Sequence, residues 1–286
     1  MGNSKSLSKI QIDPGEIVAT AAKIPGVHVD REHFLRAQFD KHCDDAMLKK
    51  VVELGPVEAG VSSKVINQVA KHVINHETTQ VTLISAAAGL PGGLVAMLGT
   101  AAADIVQFQA ALIRTSQKLA YTHGWPELFE KQGKNIDDET KDIMLLFLGV
   151  MYGISSATKG IEKLAGLIAA NVAKKLPQKA LTKTLVYPIV KKIAHLIGAR
   201  MTKQIFATGI SKAIPVAGAL ISGGVTFASF KPMANRLNDH LSKMRNTKLR
   251  AIKKAASPTT TKKAITSSTT KTAKPVSKPK AATKAK

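Results

Sequence analysis

The chain has 286 residues, 44% of them hydrophobic, a mean hydropathy of +0.01 and a formal net charge of +23. That balance supplies a sizeable buried core and excludes a polytopic membrane protein, while a single cysteine, Cys43, excludes an internal disulfide. Residues 1–162 carry 16 Lys+Arg against 18 Asp+Glu, whereas 163–286 carry 26 against one acid, Asp239, so an anionic partner is expected at the second half.

Residues 1–12 are polar and expected to be flexible, and MGNSKSLSKIQIDPGE lacks the apolar run of a secretory signal. Asp13-Pro14 predicts a helix start, with Asp as the cap and Pro at the first position; Ile24-Pro25-Gly26 ends it. Asp30 caps a second helix, which sets Phe34, Leu35 and Phe39 near one face, and Gly55-Pro56 breaks the pattern that follows. From about Ser62, Val65, Val69 and Val73 recur with helical spacing. No stretch alternates like a strand.

Val81 to Ala103 is 23 residues without a charge. At ~1.5 Å per residue it could just cross a ~30 Å hydrocarbon layer. Gly89, Pro91, Gly92 and Gly93 in its middle predict instead two helices joined by a turn. The pattern over Leu94 to Tyr121 is helical and two-sided. Ile105, Phe108, Leu112 and Leu119 share one face, and Asp104, Gln107, Arg114, Lys118 and Tyr121 recur on another, which reads as a solvent-facing side or a buried polar stripe lining a site. Gly124-Trp125-Pro126 stops the helix.

Asn135 to Lys141 is an acidic start suited to a positive helix end, and it opens an uncharged helix expected over 143–158. Beyond Glu162, lysines such as Lys174, Lys183, Lys191 and Lys192 are set between Leu181, Leu185, Ile189 and Ile193, a basic amphipathic pattern that suits either a protein surface or an anionic bilayer surface. Ala213 to Phe230 is a second uncharged segment, with Pro215, Gly223 and Gly224 expected to turn it and Gly218, Ser222 and Thr226 at close-packing spacing. A basic helix follows to about Arg250. Residues 251–286, with ten lysines, no acid and no aromatic, have too little apolar surface to fold. The expected architecture is therefore all-α: a flexible segment over 1–12, a compact multi-helix domain over 13–250 with two glycine-broken apolar segments, and a disordered basic tail over 251–286.

Several of these stretches resemble one family. Val29-Asp30-Arg31-Glu32-His33-Phe34-Leu35, Gly89-Leu90-Pro91-Gly92-Gly93, Ala102-Ala103-Asp104-Ile105-Val106-Gln107-Phe108, Gln117-Lys118-Leu119-Ala120-Tyr121 with Gly124-Trp125, and Ile214-Pro215 with Gly223, Gly224 and Thr226 are similar to the EcsC family. The likeness runs in order over roughly residues 15–245, and the Ala-Ala-Asp-x-x-Gln-Phe piece is its most specific part. The resemblance implies an all-helical protein associated with an ABC transporter, and it brings no settled activity with it. The lysine tail lies outside it.

The residues name no reaction. His72 and His76 stand four apart with Glu77 beside them, but no third or fourth ligand is visible, so neither a metal nor a cofactor is expected. His42-Cys43-Asp44-Asp45, placed on a helix, would point its side chains apart, and the common nucleophile-elbow and phosphate-loop motifs are absent. Asp104, with Gln107, Gln117, Lys118 and Tyr121, is the candidate polar cluster. The expectation is a cytoplasmic, non-enzymatic module held peripherally at the inner face of an anionic membrane or on a membrane protein. The alternatives are a hydrolase-like enzyme that uses the Asp104 cluster, and nonspecific nucleic-acid binding by the tail. No small-molecule substrate is identifiable.

Overall fold

A computed structural model describes residues 13–88, 101–129, 136–174, 187–211 and 218–256, all helices and connections, with no strand among them. The helices are α1 (Pro14–Ala22), α2 (Arg31–Phe39), α3 (Asp45–Leu54), α4 (Ser63–Ala88), α5 (Ala101–Thr122), α6 (Asp138–Met151), α7 (Ser155–Lys174), α8 (Tyr187–Ser211) and α9 (Gly218–Ala256). The fold is all-α, as its periodicities predict.

The starts follow local chemistry. The side chains of Asp13, Asp30, Asp44 and Asp137 each accept a backbone N–H from the first turn that follows, at 2.7–2.8 Å, satisfying donors that have no partner inside the helix. Asp44 thereby corrects the reading of residues 42–45 as one helical patch. Asp40–His42 is a single 3-10 turn and Cys43 is extended, so the segment is a junction between α2 and α3.

Two other expectations are corrected. The uncharged stretch 143–158 is not one helix: α6 ends at Met151, Gly153 takes φ +72°, and α7 begins at Ser155. A left-handed residue reverses the chain there at little cost only because it is glycine. Conversely, Gly223 and Gly224 do not turn the second apolar segment; both lie inside the unbroken α9. A helical glycine costs only about 1 kcal/mol, which long tertiary packing overrides. Gly89, Pro91, Gly92, Gly93 and Pro215 lie outside the described residues. Helix α4 is described as far as Ala88, and α9 runs on past Arg250 through Ala256.

Helix α5 is central, packing against α1, α2, α4, α6, α8 and α9. Phe39, Tyr121, Phe147 and Phe230 are fully buried around it, with Trp125 edge-on to Phe147 at 5.2 Å and Phe108 edge-on to Phe230 at 5.8 Å. Close approach of α6, α7 and α8 depends on two glycines. A Cβ on Gly149 would come within 2.7 Å of both Ala157 and Ile193, and one on Gly160 within 2.6 Å of Leu146. Helix α4 packs along α9, and an Arg245–Asn67 bond of 2.9 Å fixes their register.

Candidate functional site

Helix α5 spreads the expected polar cluster along its length rather than gathering it. Asp104 and Tyr121 are 17 residues apart, ~25 Å at the helical rise, and Gln117, Lys118 and Tyr121 each have their own partners. Asp104 lies in the first turn of α5, and its side chain is outside the described set. Gln107 is exposed. Gln117 is fully buried; its Oε1 accepts from Val29 N at 3.0 Å, and its Nε2 donates to Val27 O at 2.8 Å and to Ile113 O at 3.2 Å. Its amide is thus fully used in holding the strand-like entry to α2.

Tyr121 donates to Glu127 Oε1 at 2.6 Å and accepts from Leu128 N at 3.3 Å. Burial first, and then the bond to Glu127, raise its phenol well above the ordinary range. Beside it, Arg31 donates from Nε to Trp125 O at 3.1 Å and from Nη1 to Val52 O at 2.6 Å, closing the end of α3 onto the end of α5. The two turns also meet backbone to backbone. Gly55 and Gly124 have φ +89° and +86°, and a Cβ on Gly55 would lie 3.4 Å from Gly124 Cα. The Val29–Leu35 stretch and the Gln117–Trp125 stretch are therefore one contact in space, and their work there is structural.

Lys118 belongs to a different group. Its Nζ donates to Glu77 Oε1 at 2.6 Å, and Arg114 Nε donates to Glu77 Oε2 at 2.8 Å. The Glu77 side chain is 2% exposed, against 25% for Arg114 and 21% for Lys118. Burial alone would raise its carboxyl, but the Arg114 and Lys118 cations outweigh that and hold it below the usual carboxylate range. One carboxylate thus neutralises one of two cations. Over it opens a recess of about 120 Å³ lined by Phe34, Gln38, His72, Val73, His76 and Lys118, as well as Glu77 itself. The His72 and His76 rings sit 6.3 Å apart, centre to centre, but among the described residues no three His, Cys, Asp or Glu side chains are placed to hold a metal. In the sequence Glu77 stands out only as a neighbour of the histidines, yet a signal for its burial exists, since it continues the Val65, Val69, Val73 spacing to Val81.

A second polar group was not legible. His123 closes α5, its Nδ1 3.1 Å from Arg245 Nη1 and its Nε2 2.9 Å from Asn238 Oδ1. Arg245 is buried and reaches only neutral acceptors among the described residues: His123, Asn67 at 2.9 Å, Ser242 at 3.2 Å and Asn246 at 3.5 Å. These residues come from α4, α5 and α9, and no local spacing joins them.

The remaining feature is apolar. Leu83 and Ile84 on α4 are 59% and 58% exposed, and Phe227 on α9 is 48% exposed with Lys231 Nζ 5.5 Å from its ring centre. Counting 17 residues from Asn67 to Ile84 and 18 back from Arg245 to Phe227 brings all three to one level of the antiparallel pair. Among the described residues no helix is long and apolar enough to cross a membrane. Compared with family models, curated proteins and solved structures, the chain matches none.

Proposed function

We propose that this chain is an EcsC-like, non-enzymatic helical module that associates peripherally with an anionic membrane surface, alone or beside a membrane-transport partner. The observation that carries the reading is the exposed Leu83, Ile84 and Phe227 at one end of the α4–α9 pair, with Lys231 over the Phe227 ring. Large side chains of this kind gain ~1.5–3 kcal/mol each on leaving water, and each lysine near an anionic surface adds ~1 kcal/mol. The 26 Lys+Arg set against one acid over residues 163–286 supply that charge in excess. A hydrolase-like reading through the Asp104 cluster has less behind it, because Gln117, Lys118 and Tyr121 serve separate neighbours and only Lys118 lines the recess over Glu77.

The test is flotation with phosphatidylserine-containing vesicles at low salt, using the full chain, a form lacking residues 257–286, and the triple variant Leu83→Ser, Ile84→Ser, Phe227→Ser. The reading expects the full chain to float and the triple variant to be left behind. A full chain that stays unbound overturns it. Binding that the triple variant retains and the shortened chain loses moves the activity to the basic tail, where nucleic acid competes as a polyanion.

A further inference from the structure

Three helices converge on the recess over Glu77. Helix α2 brings Gln38, α4 brings His72 and His76, and α5 brings Lys118, all at the wall of one concavity of about 120 Å³. That volume is well under the roughly 300–1,000 Å³ of sites for drug-sized ligands, so a nucleotide or an extended cofactor does not fit.

The carboxylate at the bottom is already engaged through both oxygens by Arg114 and Lys118. Beyond it the wall carries the Lys118 ammonium, with two N–H bonds not directed at Glu77, the Gln38 amide, and the imidazoles of His72 and His76, each with at least one ring N–H; His76 Nδ1 lies 3.6 Å from Glu77 Oε1. Two cations against one anion leave the group with one positive charge in excess: Arg114, behind the cavity wall, and Lys118, on it, are both held by the 2%-exposed Glu77 before any ligand arrives. A metal ion would meet the Lys118 ammonium here, with no group of three His, Cys, Asp or Glu in ligating position among the described residues.

We infer that this recess between α2, α4 and α5 is a binding site for a small tetrahedral oxyanion of the phosphate class, held by Lys118, His72, His76 and Gln38. Donors arriving from three helices match an anion whose oxygens point in several directions better than a planar carboxylate, whose two oxygens point one way. The site is independent of the α4–α9 apolar end. Glu77 is a positioning residue in it: its carboxylate holds Lys118 at the cavity wall.

The experiment follows the imidazole resonances of His72 and His76 in the full-length protein during titration with inorganic phosphate, with chloride at matched ionic strength as the control. Acetate and zinc are run as separate arms. Phosphate should shift both rings saturably where chloride does not, and His76→Ala should weaken binding about tenfold, the scale of one lost hydrogen bond to a charged group. His76 is half exposed, so that variant folds even if Lys118→Ala does not. Rings that phosphate moves no more than chloride does would overturn the proposal. So would zinc shifting them where phosphate fails, or acetate binding as tightly as phosphate. Unchanged phosphate affinity in both His72→Ala and His76→Ala would place the anion elsewhere, on the basic second half.

Discussion

Arg245 donates from Nη1 to His123 Nδ1 across 3.1 Å, and that contact fixes the state of the histidine. A guanidinium has no acceptor, so Nδ1 must carry the lone pair and the proton must sit on Nε2, donated to Asn238 Oδ1 at 2.9 Å. His123 is therefore neutral. Burial first, and the Arg245 charge with it, against the raising effect of the Asn238 bond, push its pKa down to about 4 from an ordinary value of 6.5.

Between those two values the unfolded chain holds a proton on this residue that the folded chain does not, so stability falls as pH falls from 6.5 to about 4. At ~1.36 kcal/mol per unit, the contribution lost across that window is of order 3 kcal/mol. Urea unfolding at pH 7 and pH 4.5 should show it. In His123→Gln, which keeps a donor for Asn238 and has nothing to titrate, the part of the decline that belongs to this residue should disappear.

The stability that Glu77 contributes is lost in the same direction for a different reason: against burial, its partners favour the charged form. Its carboxyl is held below the ordinary 4.5, so its contribution is present above that value and fades as pH drops through the folded pKa. Glu77→Gln should destabilise the fold by about 3 kcal/mol, because two partly buried cations lose the carboxylate that pairs them. Adding Lys118→Met should restore part of that loss, a coupling that a double-mutant cycle measures.

Gln117→Ala should cost about 2–3 kcal/mol in chemical denaturation, since Val27 O and Val29 N would be left in the interior without partners. Gln117→Glu should be no better. It keeps an acceptor for Val29 N but removes both donors and places a charge in a fully buried position.

Gly149→Ala should destabilise by about 1–3 kcal/mol through overpacking, as its Cβ would enter 2.7 Å from Ala157 and Ile193. Gly166→Ala, on α7 with open space around it, should be neutral or slightly stabilising in the same melting assay.

What the chain disclosed before its structure was local. Asp13, Asp30 and Asp137 announce helix starts because the cap and the N–H groups it serves lie within three residues. Gly153 stayed hidden since nothing in its neighbours distinguishes a glycine at φ +72° from Gly224, which sits in the middle of a helix. The polar residues of α5 showed their period but not their partners. Whether Lys118 faces water or Glu77 depends on a residue 41 positions away, and His123 depends on one 122 positions away.

The pairing of α4 with α9 also bears on the order of assembly during synthesis. Asn67 waits 178 positions for Arg245, and until then α4 and α5 emerge with one side uncovered. The domain cannot close from its N-terminus outward; a nascent chain halted before α9 would present Phe108 and the surroundings of His123 to whatever chaperone is at hand, and among the described helices only α9 covers them.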